Sequence, residues 1–160
     1  GHNVKPQEFL DQIVPAAMAC QRMSGIPASF TLAQAALESA WGASKLAKRG
    51  FNLFGVKADR AWKGPIVSMD TFEVINGKRV IVPAIWRAYR GWGECLADRA
   101  EFFRKNKRYA ACFKQTTGEG WCRAVAAAGY ATDPEYAEKL LGIIRGRNLT
   151  RFDQLDREAA

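Results

Sequence analysis

The chain has 160 residues, 48% of them hydrophobic and 25% charged, a balance that fits one folded domain and excludes a disordered or collagen-like polymer. Lys and Arg outnumber Asp and Glu by 24 to 16, a formal net charge of +8. That surplus favours a polyanionic partner: nucleic acid, an anionic membrane face or an acidic wall polymer. The basic residues are scattered, clustering only at Arg104–Arg108 and Arg145–Arg151, so charge alone selects none of these. With no helix-turn-helix signature and no basic stripe, nucleic acid is not expected as a partner. No window approaches ~18 uncharged apolar residues, so membrane insertion is not expected either.

Cys20, Cys95, Cys112 and Cys122 show no C-x-x-C spacing, and the one histidine is His2. No metal site is expected, and no other cofactor. The cysteines permit two disulfides in an oxidising compartment, or they are buried thiols. The N-terminal residues lack a basic region followed by an apolar run, so they do not read as a signal peptide. Gly1-His2 reads as a cleavage scar, residues 1–5 as a scar with an irregular, disordered start, and 1–160 as one domain, expected to be monomeric.

From Lys5 to Met23, Phe9, Leu10, Ile13, Val14 and Ala17 recur at helical spacing. Pro6 suits the first turn, and Pro15 is expected to kink or divide the helix. Gly25-Ile26-Pro27 breaks the chain. Ala28–Trp41, with Ala at 33, 35, 36 and 40, reads as a helix that neighbours can approach closely, hence a central one, stopped by Gly42. Between Ile66 and Tyr89 the β-branched and aromatic enrichment is that of strands. Asn76-Gly77 is expected to form a two-residue turn pairing Ile75 with Lys78 and Glu73 with Val80, with Pro83 at a strand end. Helical spacing returns at Glu94–Lys105, Arg108–Lys114, Glu119–Ala128 and Pro134–Arg145, the last with Asp133-Pro134 as its N-cap pair. The class is α+β: a mostly helical body, a small antiparallel hairpin lobe, and a cleft between them for a long substrate.

A catalytic histidine, a GxSxG elbow and a phosphate-binding loop are all missing, which leaves carboxylates and tyrosines to carry chemistry. Glu38 sits within Ala35-Ala36-Leu37-Glu38-Ser39-Ala40-Trp41, an apolar helical stretch. Partial desolvation there would keep a proton available for a leaving group; the alternative is a carboxylate on the exposed stripe.

Thr31-Leu32-Ala33-Gln34-Ala35-Ala36-Leu37-Glu38-Ser39-Ala40-Trp41-Gly42, then Asn52-Leu53-Phe54-Gly55-Val56-Lys57, closely resembles the glucosaminidase domain of glycoside hydrolase family 73. Gly129-Tyr130-Ala131-Thr132-Asp133-Pro134-Glu135-Tyr136-Ala137-Glu138-Lys139-Leu140 is similar to a third block of that family. The likeness runs from about Pro6 to Phe152. It implies a lysozyme-like fold and an endo-β-N-acetylglucosaminidase that cleaves peptidoglycan glycan strands at the β-1,4 bond between N-acetylglucosamine and N-acetylmuramic acid. Glu38 then matches the general acid, Glu73 a second acid on the β lobe, and Tyr130 a residue near the reacting sugar.

Asn52 is a candidate for bonding a sugar amide, and Phe54, Trp62 and Tyr136 for lining the substrate; Trp86 and Trp92 are further stacking candidates. The neighbouring alternatives are a lytic transglycosylase or muramidase of the same fold, or a catalytically silent wall-binding module. Action on the wall implies a secreted or periplasmic location. It also favours the disulfide reading of the cysteines. A free-standing domain of this kind fits either an excised domain or an injected antibacterial effector, which would need an immunity protein in its producer.

Overall fold

The computed structural model describes residues 5–154; the expected irregular start lies, but for Lys5, outside the described residues. In chain order come α1 (Pro6–Ser24), α2 (Ala28–Ser39), α3 (Lys45–Gly50) and the strands β1 (Ile66–Ser68), β2 (Thr71–Ile75), β3 (Lys78–Val82) and β4 (Ile85–Arg87). Then follow α4 (Trp92–Lys105), a 3₁₀ helix (Lys107–Lys114), α5 (Gly118–Ala127), α6 (Tyr136–Gly146) and a terminal 3₁₀ turn (Leu149–Asp153). This is the expected α+β arrangement. Unexpected are α3 and the terminal turn, both too short to carry a periodic signal.

α2 is the axis of the body, with ten of its 12 residues buried. Its alanines let α1, α5, α6 and the terminal turn pack against it. Phe30, Phe103 and Trp121 fill the space beside it, with ring centroids 5.4 to 5.9 Å apart; burying each such ring contributes about 2–3 kcal/mol. The orphan N–H groups at the start of α2 are met from other elements. Gln21 Oε1 accepts from Ala28 N at 2.8 Å, and the Asp153 carboxylate accepts from Ser29 N at 2.7 Å and Ser29 Oγ at 2.6 Å. An anion placed there also meets the positive end of the helix dipole.

Three expectations need correction. α1 is not divided at Pro15, which lies on the exposed face. Water can reach the Asp11 carbonyl that loses its N–H partner there. The last helix begins at Tyr136, not Pro134: Asp133 Oδ1 accepts from Glu135 N at 2.8 Å, closing the turn before the helix rather than capping it. All four cysteines are free thiols rather than disulfides. They stand on four different elements as small packing groups, and Cys20 Sγ lies 3.7 Å from the Leu96 carbonyl it donates to. Burial pushes the Cys95 and Cys122 thiols up to about 12, so they stay neutral.

In the lobe, Asn76 and Gly77 take φ of 51° and 78°, as a type I′ turn requires. The register pairs Ile75 with Lys78 and Glu73 with Val80. β1 and β4 form a second antiparallel pair, joined to the body through Arg87. Its Nη1 donates to both Asp98 oxygens, at 2.9 and 3.2 Å, and the Tyr89 hydroxyl donates to Asp98 Oδ2 at 2.6 Å.

Candidate active site

Glu38 occupies the last turn of α2. Beyond Ser39 the chain passes through three left-handed residues in succession, Ala40, Trp41 and Gly42, with φ of 51°, 57° and 80°. A Cβ on Gly42 would fall 2.6 Å from the Phe9 ring, so this turn needs glycine both for its φ and for space. Ser39 Oγ donates to the Ala35 carbonyl at 2.7 Å and accepts from Gly42 N at 2.8 Å. Helix α2 thus stops abruptly and leaves Glu38 at the surface. Glu38 is an exposed residue, the second of the two readings that its apolar neighbours left open. Ala35, Ala36 and Ser39 are buried in the body, whereas Glu38 emerges where α2 leaves it.

Behind the exposed carboxylate lies a buried polar relay. Tyr136 Oη donates to Glu38 Oε1 at 3.2 Å and accepts from Gln34 Nε2 at 3.0 Å; Gln34 Oε1 accepts from Arg99 Nε at 3.5 Å. Tyr136, Gln34 and Arg99 are only 4%, 1% and 9% exposed. Burial and the Glu38 charge push the ionisation of the Tyr136 hydroxyl well above its ordinary range. Tyr130 stacks on Tyr136, with centroids 5.5 Å apart and planes 19° apart. The Arg99 guanidinium lies over the rings of Phe54, Tyr130, Phe102 and Phe103 at 4.5, 4.6, 4.8 and 4.9 Å.

A cavity of about 620 Å³ opens between the lobe and α4, lined by Phe54, Val56, Arg87, Asp98, Arg99 and Phe102 among others. Trp62 packs edgewise on Tyr89 at 5.6 Å, and its Nε1 donates to the Pro65 carbonyl at 2.8 Å. Asn52 does not face a ligand. It is 1% exposed; its Nδ2 donates to the Val56 and Arg87 carbonyls at 2.9 and 2.8 Å, and its Oδ1 accepts from Val56 N at 3.1 Å. The fold uses both of its donors to bind the 52–56 loop to β4. Trp86 and Trp92 are likewise packed: Trp86 Nε1 donates to the Met69 carbonyl at 2.9 Å, and Trp92 meets Phe51 edge-on at 4.7 Å. Glu73 projects from β2, half-exposed, with Lys57 Nζ at 3.6 Å; no hydrogen bond among the described residues joins it to Glu38. The described residues hold no cluster suited to a metal ion.

The glucosaminidase family, described as mannosyl-glycoprotein endo-beta-N-acetylglucosaminidase, matches residues 14–149. The chain belongs to that family. Among relatives of this glucosaminidase domain, the peptidoglycan hydrolase FlgJ of Escherichia coli K12 is 43% identical over 142 residues, 86% of this chain and 45% of FlgJ. The exo-glucosaminidase LytG of Bacillus subtilis is 36% identical over 155 residues, 94% of this chain and 54% of LytG. The chain therefore spans about half the length of these curated relatives. The truncated glycoside hydrolase domain of Salmonella typhimurium FlgJ superposes with a TM-score of 0.78 at 38% identity, covering 90% of this chain and 98% of that one. The fold of this glucosaminidase domain is accordingly lysozyme-like, as the sequence motifs implied.

Of the candidate residues, the fold brings Glu38, Tyr136 and Tyr130 together, with Phe54 joined to them through Arg99. Sequence reasoning missed Gln34 and Arg99. Gln34 lies four residues before Glu38, on the same face of α2. Arg99 interrupts the buried stripe Cys95, Leu96, Ala100 and Phe103 of α4, and a charge at such a position was the available signal.

Proposed function

We propose that this domain is an endo-β-N-acetylglucosaminidase that hydrolyses the β-1,4 bond between N-acetylglucosamine and the following N-acetylmuramic acid in peptidoglycan, outside the cytoplasm. The observation that carries the reading is the Glu38 carboxyl, presented at the end of α2 and anchored from behind by Tyr136 at 3.2 Å. Membership of the glucosaminidase family, relatives named as peptidoglycan hydrolases and a net charge of +8 against an acidic polymer support it.

Glu38 gives its proton to the glycosidic oxygen as the bond to the anomeric carbon breaks. The carboxylate left behind keeps the Tyr136 hydrogen bond. Positive charge develops at the anomeric carbon, beside the sugar's own 2-acetamido group, which can serve as the nucleophile. Tyr130 and Glu73 orient that group or a water, with the hairpin closing over the glycan while Phe54 and Trp62 line its path. Water then attacks the anomeric carbon and breaks its bond to the acetamido oxygen, giving one proton back to Glu38 and a hydroxyl to the new reducing end.

Mass spectrometry of fragments released from purified sacculi tests the activity. Reducing N-acetylglucosamine ends are expected. Reducing N-acetylmuramic acid would make the domain a muramidase, a 1,6-anhydro end a lytic transglycosylase, and binding without release a silent wall-binding module.

A further inference from the structure

We propose that Arg99 is a positioning residue of this reaction: acting through Gln34, it fixes the direction in which the Tyr136 hydroxyl proton points, towards Glu38. The inference rests on the reading of Glu38 as general acid. A guanidinium has donors and no acceptor, so the Gln34 atom facing Arg99 Nε at 3.5 Å is the amide oxygen. The Gln34 amide nitrogen must then face the other way, where it donates to Tyr136 Oη at 3.0 Å. One lone pair of the phenol is thereby occupied, and its own proton is left to donate to Glu38 Oε1. Without Arg99 the amide is free to turn over. Its oxygen would then take the Tyr136 proton, and Glu38 would face a lone pair, an arrangement that favours the protonated acid.

Packing does not account for a guanidinium at this place. Nη2 of Arg99 is buried without a hydrogen-bond partner, and no carboxylate forms an ion pair with Arg99 among the described residues. Burial pulls its ionisation down to about 10, so it is charged at neutral pH. The four rings around it offset part of that cost, but an apolar side chain of similar length would avoid it altogether. What the charge supplies is a donor aimed, through two buried groups, at the oxygen where negative charge appears as Glu38 loses its proton. The other titratable groups facing the relay are Tyr130, stacked on Tyr136, Cys95 from α4 and Tyr109 from the 3₁₀ helix; burial keeps Tyr136 and Cys95 protonated.

The test is the pH dependence of kcat and KM for release of reducing ends from sacculi, with folding checked by circular dichroism. Arg99→Met is expected to lower the kcat plateau by roughly 10-fold with little change in KM. It should also move the basic limb of the profile to higher pH by roughly half a unit or more, because the acid loses groups that favour its ionised form. Arg99→Lys, which keeps a donor, should return the limb towards its original position. Gln34→Met removes the amide that would take the Tyr136 proton, so its limb should stay near that of the parent, and in the double variant it should suppress the shift caused by Arg99→Met.

An unmoved limb in folded Arg99→Met, or a limb still shifted in the folded double variant, overturns the proposal. Should Arg99→Met not fold, Gln34→Glu stands in for it: its carboxylate accepts the Tyr136 proton, so the limb must move to higher pH there and stay in place in Gln34→Met and Arg99→Lys, and any other pattern overturns the proposal. Glu38→Gln in the same assay separates the two claims. Normal turnover there removes the general acid and this proposal with it; an inactive Glu38→Gln beside an unaltered Arg99→Met profile removes this proposal alone.

Discussion

The helical body and the β lobe hold their candidate carboxylates in opposite ways. On the body side, Glu38 is exposed, yet everything behind it is buried and hydrogen-bonded inward: Tyr136, Gln34 and then Arg99. On the lobe side, Glu73 has only the exposed Lys57 for a partner among the described residues. Its hairpin leaves Phe72, Val74 and Ile81 at 55%, 74% and 64% exposure. A two-stranded hairpin covered so sparsely is a poor rigid support. The difference assigns labour. Under the proposed mechanism, proton transfer needs a group held within a fraction of an ångström, which suits the body, and the lobe is left to close over the glycan.

Breaking the body side should have the largest consequences. Glu38→Gln keeps the shape but removes the proton, and turnover should fall by roughly 100-fold or more, measured as reducing ends released from sacculi by folded protein. Tyr136→Phe removes the donor behind the acid; a fall of about 10-fold, in kcat rather than KM, is expected. Asp153→Ala should leave the chemistry alone and destabilise the fold by about 1–2 kcal/mol, by leaving the first turn of α2 without its acceptor. Thermal unfolding would show it as a lowered midpoint. On the lobe, Lys57→Met breaks an exposed pair whose contribution is about 0–1 kcal/mol, so a denaturant midpoint close to that of the parent protein is expected.

Much of this division was legible in the sequence, and for physical reasons. Asn76-Gly77 fixed turn and register because few dipeptides tolerate two left-handed residues. The alanines of α2 marked the central helix because small side chains permit close packing. Glu38, Tyr130 and Tyr136 lie in blocks that could be matched residue by residue. Other features depend on contacts between distant parts of the chain. Asp153 caps a helix 124 positions away, and Arg99 reaches Gln34 across 65 positions; neither pairing has a local signature. Asn52 misled because an amide beside Leu-Phe-Gly serves a sugar or a loop equally well, and here the loop takes it. The cysteines misled because an even count in a wall-directed chain reads as disulfides, whereas each thiol fills its own niche in the body.

The contrast between the two lobes is tested most directly by assaying Glu38→Gln and Glu73→Gln side by side on the same sacculi, with both proteins verified as folded. If the body carries the proton transfer and the lobe only orients and covers the glycan, Glu73→Gln should retain at least several-fold more turnover than Glu38→Gln, with much of its loss in KM. A Glu73→Gln enzyme as inactive in kcat as Glu38→Gln would contradict that division and place essential chemistry on the hairpin.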